Sequence, residues 1–154
     1  MSDPIKFYAG YKDGVRLPHA SFNNFASYAI EYEGVRYRTS EHFYQAMKFP
    51  PGEDREEVIA APTAKQAALT GRQAHRALDP QWEARKDDVM RLALFLKFST
   101  YAGARAELLS TGDREIIEDS PTDYYWGCGA DGTGKNMLGK LLMETRERLR
   151  TPTL

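Results

Sequence analysis

Apolar and polar positions alternate through much of the first forty residues, then settle into a three-to-four-residue rhythm for the rest of the chain. Tyr28, Ile30 and Tyr32 alternate with small or polar neighbours, Glu33-Gly34 offers a turn, and Val35 and Tyr37 alternate again. That pattern predicts a β-hairpin over 28–37. Upstream, residues 5–11 have extended character, and the Lys-Asp-Gly run at 12–14 reads as a turn. Residues 17–25 carry Pro18 and two asparagines and read as a loop.

The helical rhythm begins near Glu41. Thr39 or Ser40 can cap a helix there, and the Phe-Pro-Pro-Gly run at 49–52 ends it. Residues 53–61 predict a short helix stopped by Pro62, and Thr63 caps another that reaches about Gly71. Asp79 followed by Pro80 makes a helix start. From there to about Ser99, Trp82, Val89, Leu92, Ala93 and Leu96 fall at helical spacing, which predicts a central core helix. A helix over 102–112, a short strand over 114–119, a glycine-bearing loop over 120–136 and a closing helix from Asn136 complete the pattern. No repeat or low-complexity linker interrupts it. The expectation is one domain over 1–154, α+β and helix-rich, with a small, mainly N-terminal antiparallel sheet.

Composition narrows the function classes. The 154 residues suit one domain of ordinary size. A net charge of −1 gives no support for broad electrostatic binding to nucleic acid or an anionic membrane. Cys128 is the single cysteine, so no intramolecular disulfide forms and a reducing compartment is expected. The opening segment lacks an apolar signal core, and no apolar run approaches the ~18–20 residues of a membrane span. The expected location is the cytoplasm. Oligomeric state is not set by any of these features.

Three stretches invite a chemical reading. Residues 129–136 match the phosphate-binding pattern G-x-x-x-x-G-K-[ST] except at the last position, where Asn136 stands in place of the magnesium-binding hydroxyl. The polar, aromatic segment before it is not the buried strand that such a loop follows. Nucleotide hydrolysis is therefore not expected, although glycines before a helix can leave backbone N–H groups free for an anion. Cys128, His19, His42 and His75 lie at no metal-ligand spacing, so neither a metal site nor a Cys–His nucleophile is expected. The third stretch is TSEHFYQAMKF, residues 39–49, which lines up Glu41, Tyr44, Gln45 and Lys48 at spacings of three and four. One helix face then carries an acid, a phenol, an amide and an amine, while Phe43, Ala46, Met47 and Phe49 supply the apolar face. Glu41 falls in the first turn, where the helix dipole favours an ionised carboxylate. A similar mixture recurs in Asp123, Tyr124, Tyr125 and Trp126.

These stretches, with residues 81–98, 108–121 and 124–146, resemble the NADAR (YbiA-like) superfamily from about Ser21 to about Arg148. The family's early Ser-Asn-Phe element reads Asn23-Asn24-Phe25 here, with Asn23 in the serine position. The resemblance implies an N-glycosidase that hydrolyses phosphorylated ribosylamino-pyrimidine intermediates of riboflavin biosynthesis, releasing ribose 5-phosphate. Other members of the family remove ADP-ribose from guanine in nucleic acid. A non-catalytic ADP-ribose or nucleotide-binding module is the remaining alternative. The family's essential acid matches Glu41, and its acidic and aromatic positions match Asp123, Trp82 and Trp126. Substrate contacts are expected at Asn24, Phe25, Tyr44, Gln45 and Lys48, and at Arg85, Gly127 and Asn136. The partner implied is a small phosphorylated N-riboside; no cofactor, metal or membrane is implied.

Overall fold

The computed structural model describes residues 2–151. Along the chain, the first strands are β1 (Ile5–Phe7), β2 (Tyr11–Lys12) and β3 (Val15–Arg16), followed by a short 3-10 turn (Ala20–Phe22). Next come β4 (Ile30–Tyr32), β5 (Val35–Tyr37), and the helices α1 (Ser40–Ala46), α2 (Glu53–Ala60), α3 (Ala64–Gly71) and α4 (Trp82–Thr100). The chain continues through α5 (Ala102–Leu109), β6 (Ile116–Glu118) and α6 (Met137–Arg150). The architecture is α+β and helix-rich, with its strands mainly N-terminal.

The strands do not make one antiparallel sheet. β2 pairs with β3 and β4 with β5 as antiparallel hairpins, whereas β1 runs parallel to β6, Ile5 facing Ile116 and Phe7 facing Glu118. Both hairpins turn on two residues with positive φ, Asp13-Gly14 at 52° and 78° and Glu33-Gly34 at 50° and 81°. That is the type I′ geometry, whose twist matches the flanking strands.

The chain divides into two compact units. The first joins the segment through Asn23 to everything from Phe98 onward. Its core includes Phe7, Phe22 and Phe98: Phe22 meets Phe7 edge-on at 5.6 Å and Phe98 at 6.0 Å. Glu107 ties the N-terminal segment to α5. Its carboxylate accepts hydrogen bonds from the Arg16 guanidinium, the His19 N–H and the Ser21 hydroxyl.

The second unit is Asn24–Lys97 and holds the hairpin β4–β5 with α1, α2, α3 and most of α4. Phe43 of α1 is buried against the edges of Tyr32 and Tyr37 at 5.6 and 5.1 Å. Burying such a ring stabilises the fold by about 1.5–3 kcal/mol. Helix α4 starts at Trp82, two residues later than Asp79-Pro80 suggests. The reason is local: the Asp79 side chain accepts the Gln81 N–H and its carbonyl the Trp82 N–H, which closes a turn ahead of the helix.

On α4, Trp82, Val89 and Ala93 are buried as expected, but the rest of the buried face is shifted by one or two residues. Leu92 and Leu96 are half-buried, while Met90, Ala93, Leu94, Lys97 and Phe98 are buried.

Candidate active site

Every residue of α1 from Ser40 to Ala46 is buried, so its polar face is not a solvated one. The sequence begins the helix here because Thr39 caps it: the threonine hydroxyl accepts the His42 N–H at 3.1 Å. Asn24 braces the same end. Its carbonyl accepts the Glu41 N–H at 3.1 Å, its Oδ1 accepts the Ser40 hydroxyl at 3.0 Å, and its Nδ2 donates to Met90 Sδ at 3.3 Å. His42 is a satisfied core histidine. Its Nε2–H donates to the Ala61 carbonyl at 2.9 Å and Nδ1 accepts from the Thr39 hydroxyl at 2.8 Å, while burial lowers its pKa.

Glu41 is 7 % exposed, and Gln45 one turn later is 2 % exposed. The Gln45 Nε2 donates to Glu41 Oε1 at 2.8 Å. Lys48 lies past the helix end at Met47, yet the chain keeps winding, with the Lys48 N–H on the Gln45 carbonyl at 3.3 Å. Its ammonium sits 5.7 Å from the centre of the Tyr44 ring. Burial lowers the Lys48 pKa; the Glu41 charge opposes that, Arg72 adds to it, and Glu83 opposes it. Tyr44 and Trp82 are both buried and meet edge-on at 5.1 Å. The Asp79 N–H donates to the Lys48 carbonyl at 2.8 Å, which fixes the Lys48 backbone to the segment just before α4. Arg85 is engaged nearby in an ion pair with Asp79. Phe25 is largely exposed. The second unit thus contains a buried carboxylate, an amide bonded to it, an ammonium within its electrostatic reach, and two rings.

The other expected residues lie in the first unit, on the loop 120–136. The Asp123 Oδ1 accepts the N–H groups of Tyr125 and Trp126 at 2.9 and 2.8 Å, an Asx-type turn that shapes the loop. Trp126 is half-buried with its ring edge-on to Tyr125 at 5.0 Å. Gly127 is buried in a place with no room for a Cβ, which would fall 2.7 Å from Glu118 Oε2 and 2.9 Å from the Ser120 Cβ.

Asn136 adopts a left-handed conformation, φ 53°, and does not cap α6 with its side chain. Its Nδ2 donates to the Ile116 carbonyl and its Oδ1 accepts the Glu118 N–H, both at 2.9 Å, so the amide buttresses β6. The glycine-rich stretch does not leave its N–H groups open to an anion. Those of Gly134, Lys135, Asn136, Met137 and Leu138 donate to the carbonyls of Cys128, Tyr124, Gly127, Tyr125 and Trp126 in turn. The loop uses its donors to close on itself.

Two residues escaped the sequence reading. Lys97 is completely buried, 6.0 Å from the Tyr28 ring centre, with its pKa lowered to about 7 by burial. The signal was its place eight residues after Val89 and four after Ala93, on the row that proves to be core. Gly71 closes α3 directly against Gln45, which no local pattern announces. Among the described residues, no group of His, Cys, Asp or Glu could hold a metal ion, and no helix is long and apolar enough to cross a membrane.

Known proteins resemble this chain along nearly all of its length. The NADAR domain family model matches residues 9–150. An N-glycosidase of Nostoc punctiforme is 43% identical over 136 residues, covering 86% of this chain and 87% of that protein. A riboflavin biosynthesis protein of Vibrio vulnificus is 36% identical over 149 residues, 97% of this chain and 39% of that protein. The NMR structure of the E. coli protein YbiA superposes with a TM-score of 0.84 at 42% identity, covering 97% of this chain and 87% of that one.

Proposed function

The chain belongs to the NADAR family and is a hydrolase of N-glycosyl bonds, and we propose that its substrate is a phosphorylated ribosylamino-pyrimidine of riboflavin biosynthesis. The observation that carries the proposal is the buried pair Glu41–Gln45, with Lys48 and two aromatic rings gathered in the same unit. Kinship with a riboflavin biosynthesis protein supports the choice of pathway.

Cleavage of a ribosyl C–N bond passes through an oxocarbenium-like cation at C1′, by analogy with O-glycosides. Glu41 supplies the negative charge that stabilises this cation and takes a proton from the attacking water. Water delivers its oxygen to C1′ and a proton to the departing nitrogen, giving ribose 5-phosphate and the free base. The Lys48 ammonium serves the phosphate or a ribose hydroxyl, and Tyr44 and Trp82 serve the planar base. Asp123 is proposed as the second acidic residue and Trp126 as a further ring. We also propose that the two units together form one NADAR domain and that the protein resides in the cytoplasm, which its single cysteine supports.

The test is incubation with ribosylamino-pyrimidine phosphates and, separately, with DNA carrying ADP-ribosylated guanine, followed by mass spectrometry. Release of ribose 5-phosphate from the first supports the reading. Turnover of the DNA alone, releasing ADP-ribose, replaces it with nucleic-acid de-ADP-ribosylation. Binding without product in either case would make the chain a sensor.

A further inference from the structure

Gln45 has two polar ends in the interior, and they fare differently. Its Nε2 donates to Glu41, but its Oε1 is fully buried and finds no hydrogen-bond partner among the described residues. An amide carbonyl left in that state opposes folding, because it gives up water and gains nothing in return. The opposite rotation of the amide would place its oxygen against the Glu41 carboxylate, oxygen facing oxygen, which charge repulsion disfavours. The orientation that leaves Oε1 without a donor is therefore the one that gives Glu41 an N–H.

What makes room for the amide there is Gly71, the last residue of α3. A Cβ at Gly71 would overlap Gln45 Oε1, and it would lie 2.9 Å from the Gln45 Cδ and 3.0 Å from its Cβ. Those three atoms are the nearest neighbours of the missing methyl, so the glycine makes room for this one side chain. A glycine inside a helix otherwise lowers stability relative to alanine. Two features that oppose stability, an orphan carbonyl and a helical glycine, thus meet at the same point, and both serve the bond from Gln45 to Glu41.

We propose that Gln45 is a positioning residue for Glu41, and that Gly71 is the seat that leaves room for its amide beside the acid. The inference rests on Glu41 carrying the glycosidic chemistry. It assigns Gln45 to the acid rather than to direct contact with substrate. Displacing a reacting group by about 1 Å can cost about a hundredfold in rate, so the loss should appear in kcat and leave KM nearly unchanged.

Two experiments test it. Gln45→Met keeps the length and removes both polar ends. It is expected to melt at or above the wild-type temperature, to lose roughly ten- to a hundredfold in kcat, and to hold KM within about twofold. A large rise in KM with kcat retained would make Gln45 a substrate contact and overturn the proposal. So would a kcat indistinguishable from wild type.

The second experiment needs no activity. Gly71→Ala is expected to lower the melting temperature in the wild-type background, and to lower it much less in a Gln45→Ala background, where only the Cβ contact at 3.0 Å remains. Equal losses in both backgrounds would remove Gln45 as the occupant of the Gly71 seat. If Glu41→Gln itself proves active while the melting pattern holds, the catalytic reading fails and the packing relation stands. The two failures are therefore distinguishable.

Discussion

Helix α1 and the loop 120–136 are both rich in carboxylates, amides and aromatic rings, but they use their hydrogen-bonding capacity in different ways. On α1, Thr39 and Asn24 satisfy the helix end, and the Gln45 amide is directed at another side chain, Glu41. In the loop, the Asp123 carboxylate and the Asn136 amide go to backbone groups, and successive N–H groups close onto carbonyls earlier in the same loop. The first arrangement holds a carboxylate in the interior beside an amide with one orphan end, which is poor economy for folding and useful for chemistry. The second stabilises an irregular backbone, as buried peptide groups require. Polar residues of one composition can thus form a reactive group or a scaffold, and their partners tell which.

The sharpest way to break this contrast is a pair of isosteric substitutions. Glu41→Gln keeps the size of the side chain but removes the charge proposed to stabilise the oxocarbenium ion and the base proposed to take a proton from water. A loss of about 10²–10⁴-fold in kcat is expected, with little change in melting temperature. Asp123→Asn keeps an oxygen for the N–H groups of Tyr125 and Trp126, so the loop should hold. If Asp123 also serves the reaction, Asn lowers kcat alone, whereas Asp123→Ala lowers both kcat and stability. Steady-state kinetics beside thermal melts on the three variants decide it. Full activity in Asp123→Asn would leave that carboxylate as scaffold only.

The two tryptophans sharpen the same contrast at a smaller scale. Trp82 is buried on α4 against Tyr44, so Trp82→Ala should cost about 3–5 kcal/mol of stability through the cavity it leaves. Trp126 is half-buried on the loop, and Trp126→Ala should weaken substrate binding with little change in melting. Denaturant titration and KM measured on both would reveal any exchange of roles.

Much of this was legible in advance, for identifiable reasons. Alternation and the Glu-Gly pair marked the hairpin β4–β5, the Asp-Gly pair marked the turn between β2 and β3 though not their pairing, and the three-and-four spacing around Glu41 marked the polar face of α1. The parallel pairing of Ile5 with Ile116 was not legible, because backbone hydrogen bonds between distant segments leave no mark on composition. The closure of the 129–136 loop was hidden too: glycines that free N–H groups for a phosphate and glycines that let a loop fold on itself look alike in sequence. On α4 the apolar residues are dense enough to fit two neighbouring faces, and a lysine at 97 gives no sign that its row is core.

That lysine gives a pH-dependent test of whether the interior tolerates charge only where it is used. Burial sets its folded pKa at about 7, against an ordinary 10.5. Between those values the unfolded chain holds a proton that the folded one has released, so this residue makes stability rise with pH across that window. Lys97→Met removes the effect. Its stability gain over wild type should be largest below about pH 7 and fade by about pH 10.5, as read from denaturant melts at several pH values. A variant less stable than wild type even below pH 7 would mean that the contacts Lys97 makes, with Tyr28 among them, outweigh the burial of the charge.

The smallest effect is expected at Lys135, the residue that makes the loop look like a nucleotide site. It is exposed, and its ammonium lies 5.4 Å from the Tyr125 ring centre, an arrangement worth about 0.5–1 kcal/mol at the surface. The N–H groups of Gly134, Lys135 and Asn136, at the entrance to α6, already donate to loop carbonyls, and Asn136 has no hydroxyl for magnesium. Lys135→Ala should therefore shift the melting temperature by no more than about 4 °C, and no ATP or GTP turnover is expected of it or of the wild type. Asn136→Ala should do far more harm, since it strips two buried hydrogen bonds from β6 at about 1–3 kcal/mol for each partner left unsatisfied. Magnesium-dependent ATP hydrolysis abolished by Lys135→Ala would reverse this ranking and return the loop to nucleotide chemistry.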